Sequence, residues 1–374
     1  MSAGRVSSLA FTVTVSVAVG LGALGMLAVL ALSGAPGTLF LATALAALPV
    51  VPLVACYLWL DRYEPEPRAL LAAGLLWGGF VATAAALVIQ GIGGLFVGVG
   101  DDASLAVVAP VTEELSKGLF LVLLLWWRRD ELDGVLDGIV YAGMVGIGFA
   151  FVENILYLAA AYDGTDGTGP GGTTALTTTF VLRCLLSPFA HPLFTTFTGI
   201  GVGLAIASRS GAVRVLAPLG GYALAVLAHG LWNGSTLVGG GSGFLVVYVV
   251  LALPALAALV ALALWMRRSE RRMLAAALAD AASRGLLPAS DIPWLVDLRA
   301  RRVARRHARA GGGRAAEQAM RAYQQAAIEL GFLHHRFLRG TPPPDFAARG
   351  QAYVARIGSV RPRIALPGQV VPTR

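Results

Sequence analysis

Lysine is all but missing from this 374-residue chain: Lys117 stands alone, and every other fixed base is arginine. That skew, beside abundant alanine and glycine, fits a GC-rich genome and carries no mechanism. Cysteine is nearly as scarce. Cys56 and Cys184 both fall inside long apolar runs, which excludes a disulfide frame and a CxxC metal site. Charge is thin, at 13% of residues against 56% hydrophobic, which excludes an ordinary soluble domain and points to a multi-span membrane protein. No H-E-x-x-H is present, so no zinc-protease signature is set by spacing.

What the chain has instead is apolar length. A spanning helix needs about 20 mostly apolar residues. Eight runs qualify, near 9–32, 39–60, 69–99, 105–127, 135–161, 178–207, 215–238 and 243–266. They predict an all-α fold, a polytopic membrane bundle of about eight transmembrane helices. The first run follows Arg5 but is far longer than the roughly 7–15 residues of a signal-peptide core, so it reads as a retained helix. Arg5, Arg62, Arg68, Arg128, Arg129, Arg209, Arg214, Arg267 and Arg268 fall on alternate sides of successive runs, and the opposite loops near 33–38, 100–104, 162–179 and 239–243 hold no Lys or Arg. By the positive-inside rule this predicts a multi-pass protein of the cell membrane with both termini cytoplasmic.

Residues 1–266 read as the bundle, and residues 267–374 as a basic cytoplasmic region. From Arg267 onward 20 arginines face 7 acidic residues, so the formal +8 divides into a region near +13 and a bundle near −5. Apolar spacing predicts helices over 269–284, 294–309 and 314–338, with His334 and His335 solvated. Beyond Thr341 the Pro-rich "TPPPDF" and "LPGQVVPTR" predict disorder. The expected partner of this region is the anionic headgroup layer, at about 1 kcal/mol per base near the surface. No nucleic-acid recognition motif is present, and no nucleic acid is expected.

The polar residues inside the runs are few. "VTEELSKGLF" carries Glu113 and Lys117 four apart on one helical face, with Glu114 about 100° round. "GFAFVENILYL" carries Glu153 and Asn154, "LLSPFAHPLF" carries His191, and "LAHGLWNGS" carries His229 and Asn233 one turn apart. A charge at mid-bilayer costs a few to more than ten kcal/mol, so such residues need partners, water or a task. Counted at 1.5 Å per residue, Glu113, Glu153 and His229 lie about 12–13 Å and His191 about 16–20 Å from the same outer face. Packing alone does not call for three glutamates and two histidines at one level.

Two chemistries would use this set. In one, a carboxylate activates water with help from the histidines, while His229 and Asn233 steady the oxyanion of a tetrahedral intermediate. In the other, the histidines and a glutamate hold a divalent metal such as zinc, which acidifies water. A proton-coupled transporter or a non-catalytic scaffold would also bury such groups, but no paired halves with interrupted helices support a carrier.

Taken in order, these motifs resemble the PrsW family of intramembrane proteases, within the superfamily that includes bacterial CAAX-protease-like proteins. The E-E-x-x-K element matches Glu113, Glu114 and Lys117, and F-x-x-x-E-N matches Phe149, Glu153 and Asn154. His191 matches the family's intramembrane histidine, and H-x-x-x-N matches His229 and Asn233. "YLWLDRYEPEP" at 57–67 resembles its loop between spans two and three. The resemblance covers roughly 40–265. It implies hydrolysis of a peptide bond in a membrane-anchored substrate, such as an anti-sigma factor or another single-span protein. Glu113, Glu114, Glu153, His191, His229 and Asn233 would be catalytic, with Lys117, Phe149 and Asn154 supporting. Glu113 would be the general base, as the first glutamate of the pair is in related CAAX endopeptidases, and Glu114 would assist it. Should a metal serve instead, His191, His229 and one of Glu114 or Glu153 would be its ligands.

Overall fold

The structure is a computed structural model that describes residues 3–63, 65–97, 100–165 and 170–368. Among the described residues there is no strand, and the fold is all-α. The chain divides into two compact units: Met1–Asp61 with Glu66–Leu262, and Arg62–Pro65 with Ala263–Arg374.

In the first unit, α1 is Ala3–Ser33, followed by α2 Pro36–Ala47 and α3 Val50–Leu60, which are separated at Pro49. Then come α4 Arg68–Leu76, α5 Thr83–Val97, the single turn α6 Asp101–Ala103 and α7 Ala109–Trp127. The unit continues with α8 Val135–Asp163, α9 Thr173–Phe180, α10 Ala190–Ala207, α11 Gly211–Ser235 and α12 Ser242–Val247, and runs into α13 Leu253–Ser283. π-helical turns at Trp77–Ala82, Ser104–Val108, Val181–Leu186 and Tyr248–Ala252 join several of these end to end.

Among the described residues seven helices are long and apolar enough to cross a membrane: Ser8–Ser33, Pro36–Leu60, Arg68–Ile92, Val135–Asp163, Thr173–Ala207, Gly211–Ser235 and Ser242–Ser283. This is a multi-pass membrane protein. The run expected at 105–127 is helical too, but Glu113, Glu114 and Lys117 keep it outside that apolar set. Large aliphatic side chains point outward along α1 and α11, Leu21, Leu24, Leu216 and Leu219 among them, the pattern of surfaces meant for lipid.

Helix α8 is the axis of this unit, buried on nearly every side between Leu136 and Ile155. Small residues every fourth position, Gly138, Ala142, Gly146 and Ala150, let α10 approach closely. A Cβ on Gly138 would lie 2.1 Å from the Gly199 carbonyl oxygen, and one on Gly146 would lie 2.6 Å from the Pro192 Cα. The two backbones therefore meet where α10 begins, next to His191.

The second unit has its own apolar core. Leu274 and Leu278 of α13 pack with Leu295 of α14 (Ile292–Val296) and with Tyr323, Ala327 and Leu330 of α15 (Leu298–Leu338). The helix expected over 294–309 is broken at Asp297, whose carboxylate accepts from the N–H groups of Arg299 (2.7 Å) and Ala300 (3.0 Å) and so starts a new helix. Helix α15 kinks at the glycine run, where Gly313 takes a φ of 66°. His334 is buried rather than solvated, with Nε2 2.5 Å from Asp280 Oδ2. The Pro-rich end is also ordered beyond expectation: α16, Phe346–Val360, packs Ile357 into the core, followed by Ile364 and Leu366. Prolines bound this stretch without entering it, and Tyr353, Val354, Ile357 and Val360 share one face. Residues 369–374 of the expected disordered end lie outside the described residues.

Candidate active site

Helix α7 carries the acids of the site and their counter-ion. Lys117 is fully buried, and its ammonium has three protons for three neighbours. Nζ lies 2.8 Å from Glu114 Oε1, 3.4 Å from Glu113 Oε2 and 3.1 Å from His191 Nδ1. Below it the Phe149 ring offers its face, with the centroid at 3.6 Å. The spacings of three and four residues bring both glutamates to the lysine from one helix.

His191 comes from a break in its span. The π turn Val181–Leu186 ends at Ser187, and α10 starts afresh at Ala190, placing His191 and Pro192 in its first turn. Irregular backbone at membrane depth is tolerated where protein surrounds it. The His191 Nε2 lies 2.7 Å from Glu153 Oε2 of α8. Since Lys117 can only donate, Nδ1 must accept, and Nε2 carries the proton toward Glu153.

His229 of α11 is held by the other glutamate. Its Nδ1 lies 3.0 Å from Glu114 Oε1, and Phe194 stacks on its ring at 5.0 Å. Glu114 also accepts from Thr195 Oγ1 at 3.1 Å. With Nδ1–H donated to Glu114, Nε2 keeps a lone pair, and it faces Glu113 Oε2 at 3.8 Å. Two acceptors opposed at that separation need a donor or a cation between them.

A division of labour follows. Glu114 and Glu153 each orient a histidine, the carboxylate–histidine arrangement that fixes tautomer and ring plane. Glu113, His191 and His229 are all buried and offer ligand atoms within 4.8 Å of one another, a group that could hold a metal ion. Two imidazoles and one carboxylate with carboxylates behind the rings suit a catalytic zinc site. The carboxylate in this group is Glu113, whereas sequence reasoning offered Glu114 or Glu153. Those two are engaged by the outer sides of the rings. Across the cluster three carboxylates face two fixed cations, Lys117 and Arg183, an excess that draws a proton or a cation.

Residues 66–259, more than half of the chain, match the family described as PrsW family intramembrane metalloprotease. The chain belongs to the PrsW family. It is similar to the protein named Protease PrsW of Geobacillus kaustophilus, 30% identical over 157 residues that cover 42% of this chain and 63% of that one. It is also similar to Protease PrsW of Oceanobacillus iheyensis, 30% identical over 114 residues that cover 30% of this chain and 46% of that one. The chain thus spans less than two thirds of the length of either relative. No solved structure matches it.

Not every expected PrsW site residue joins the cluster. Asn233 donates from Nδ2 to the Leu105 carbonyl at 3.1 Å, tying α11 to the π turn before α7. Asn154 accepts from Arg183 Nε at 2.8 Å. Three residues escaped the sequence reading. Thr195 shares a face with His191 four positions earlier. Gln90 Nε2 reaches Glu113 Oε1 at 3.4 Å from the long Gly-rich run. Arg183 pairs with Glu153 through Nη2. It is the one fixed base inside the 178–207 run, and a charge within so apolar a run is the signal that marks it.

Proposed function

We propose that this chain is an intramembrane endopeptidase that hydrolyses a peptide bond of a membrane-anchored protein by activating water at Glu113. The observation that carries the reading is the opposed pair of acceptors, Glu113 Oε2 and His229 Nε2, 3.8 Å apart in a buried cluster. A water there gives one proton to Glu113 while its oxygen turns to a carbonyl. Glu113 is the free carboxylate: its contacts to Lys117 and Gln90 are long, both 3.4 Å, whereas Glu114 is saturated by bonds of 2.8, 3.0 and 3.1 Å. Proton transfer by a placed carboxylate contributes about 10²–10⁴-fold. Lys117 holds the glutamate pair and donates to His191, keeping that ring's lone pair directed inward.

The donor set fits zinc, which Glu113, His229 Nε2 and His191 Nδ1 would hold once the Lys117 ammonium gave up that nitrogen, and what such an ion would supply when bound is Lewis acidity toward water and a carbonyl. A metal-free glutamate reading has its own support, because the Lys117 ammonium already stands 3.1 Å from His191 Nδ1 and within reach of both glutamates. The substrate class follows from depth. A helical segment hides its carbonyls, so the cut falls where a single-span substrate unwinds near the outer face. The chain sits in the cell membrane with both termini cytoplasmic, residues 1–266 form the protease bundle, and the basic 267–374 region lies against anionic headgroups.

The test is a purified full chain with a single-span peptide, assayed with metal analysis and chelator. Turnover that falls about 10²–10⁴-fold in Glu113→Gln is expected. Stoichiometric zinc with chelator-sensitive turnover selects the metal reading, and chelator-resistant, zinc-free turnover selects the glutamate reading. Full activity in Glu113→Gln would end the assignment.

A further inference from the structure

The Arg183 side chain is a costly placement. It stands within the Thr173–Ala207 span, where an arginine costs several kcal/mol unless paired. Its guanidinium grips α8 at three points. Nε donates to Asn154 Oδ1 at 2.8 Å, Nη2 pairs with Glu153 Oε2, and the group lies over the Tyr157 ring at 3.8 Å from its centroid. Nε and Nη2 form one rigid edge of the guanidinium, so two adjacent residues are held in fixed relation. Glu153 Oε2, the atom so held, is the one that meets His191 Nε2.

We infer that Arg183 is a positioning residue for the PrsW chemistry: it fixes Glu153, and through it the Nε2–H hydrogen bond and ring orientation of His191. This inference rests on the proposed reading of the site. Lys117 has only donors, so His191 Nδ1 must accept, and Nε2–H must find an acceptor. Glu153 is that acceptor only while its oxygen is aimed at the ring. Among the described residues the side chain that meets this oxygen besides His191 is Arg183, so the aim comes from Arg183. The π turn Val181–Leu186 supplies the direction, since the extra residue per turn rotates position 183 relative to a regular helix entering α10. A plain structural ion pair is the alternative. Buried pairs are poor stabilisers compared with apolar packing of the same volume, so stability alone gives little reason for this one.

The experiment compares the full chain with Arg183→Gln, Arg183→Lys, Glu153→Gln and the Arg183→Gln/Glu153→Gln double variant, in detergent. Three readouts are taken: peptide hydrolysis, thermal melting and the ¹⁵N spectrum of labelled histidines, assigned at position 191 by loss in His191→Asn. The wild type should show His191 protonated at Nε2. Arg183→Gln should keep Nε2 protonated, since Lys117 still donates to Nδ1, but move the ¹⁵N and ¹H shifts of that group as its bond to Glu153 loosens, with kcat down by about 10–100-fold, the usual scale for a residue behind a ligand histidine, and KM little changed. Arg183→Lys, which keeps the charge without the fork, should fall between. The double variant should be no slower than Glu153→Gln, because both act on one path. Unchanged His191 Nε2–H shifts in folded Arg183→Gln would overturn the inference. So would losses that multiply in the double variant. The spectrum needs no turnover, so a wild type that cleaves nothing would count against the protease reading alone.

Discussion

At the scale of the residue, Glu113 and Glu114 are neighbours in sequence with different surroundings. Glu114 meets Lys117, His229 and Thr195 within 3.1 Å, while Glu113 has only contacts of 3.4 Å and longer. Glu114→Gln should therefore cost less than Glu113→Gln. A loss of about 10–100-fold is expected from disturbing His229, against about 10²–10⁴-fold for the base. Single-turnover rates on one peptide would rank the two, and equal losses would show that the pair acts as one unit. The residue types and their gathering into one cluster were legible in the sequence, since charges in apolar runs stand out. Their partners were not. Adjacency on a helix puts Glu114 about 100° from Glu113, and only the positions of α10 and α11 decide which side meets which histidine.

At the scale of the element, hydropathy located the helices but not the irregularities that aim them. A π turn keeps its apolar composition, so the Val181–Leu186 turn and the restart of α10 leave no trace in a count of apolar residues. The amphipathic helix α16 was hidden by flanking prolines. The close crossing of α8 and α10 was partly legible as a four-residue recurrence of glycine and alanine. Gly146→Ala tests it. The added carbon would lie 2.6 Å from Pro192 Cα and 2.7 Å from its nitrogen, so backbone must move at the start of α10. A destabilisation of about 1–3 kcal/mol is expected from such overpacking. Turnover should fall with it, because His191 is the next residue. Gly20→Ala, which meets nothing within 4 Å, is the matched control and should leave both melting and turnover alone.

At the scale of the whole molecule, a buried acid pair lies just beyond the span that ends at Leu60. Burial pushes the Asp61 carboxyl up to about 7 and the Glu66 carboxyl well above the usual range. A raised carboxyl favours the protonated folded form. Its contribution to stability is therefore full in acid and is lost as pH climbs from about 4 to about 7, with no further change from Asp61 above that. Asp61→Asn keeps an oxygen for the Glu66 N–H and should flatten part of that slope in melting curves taken between these limits. The number of crossings is the other global property, and α7 decides it. Among the described residues seven helices are apolar enough by composition, and seven would set the termini on opposite sides. Yet α7 turns its charges inward, with Glu113, Glu114 and Lys117 all buried, and shows Val111, Leu115, Leu119, Val122 and Trp126 on its exposed face. Those five recur every three or four residues, a continuous apolar stripe fit for lipid. If the helix crosses as an eighth span, the arginine-bearing loops all fall on one side, as the positive-inside rule requires. Reporters inserted after Asp102 and after Asp130 should be found on opposite faces of the membrane, with the one after Asp130 on the same face as both termini. Finding both insertions on one face would mean that α7 does not cross, and would remove the common depth on which the proposed water-activating role of the cluster depends.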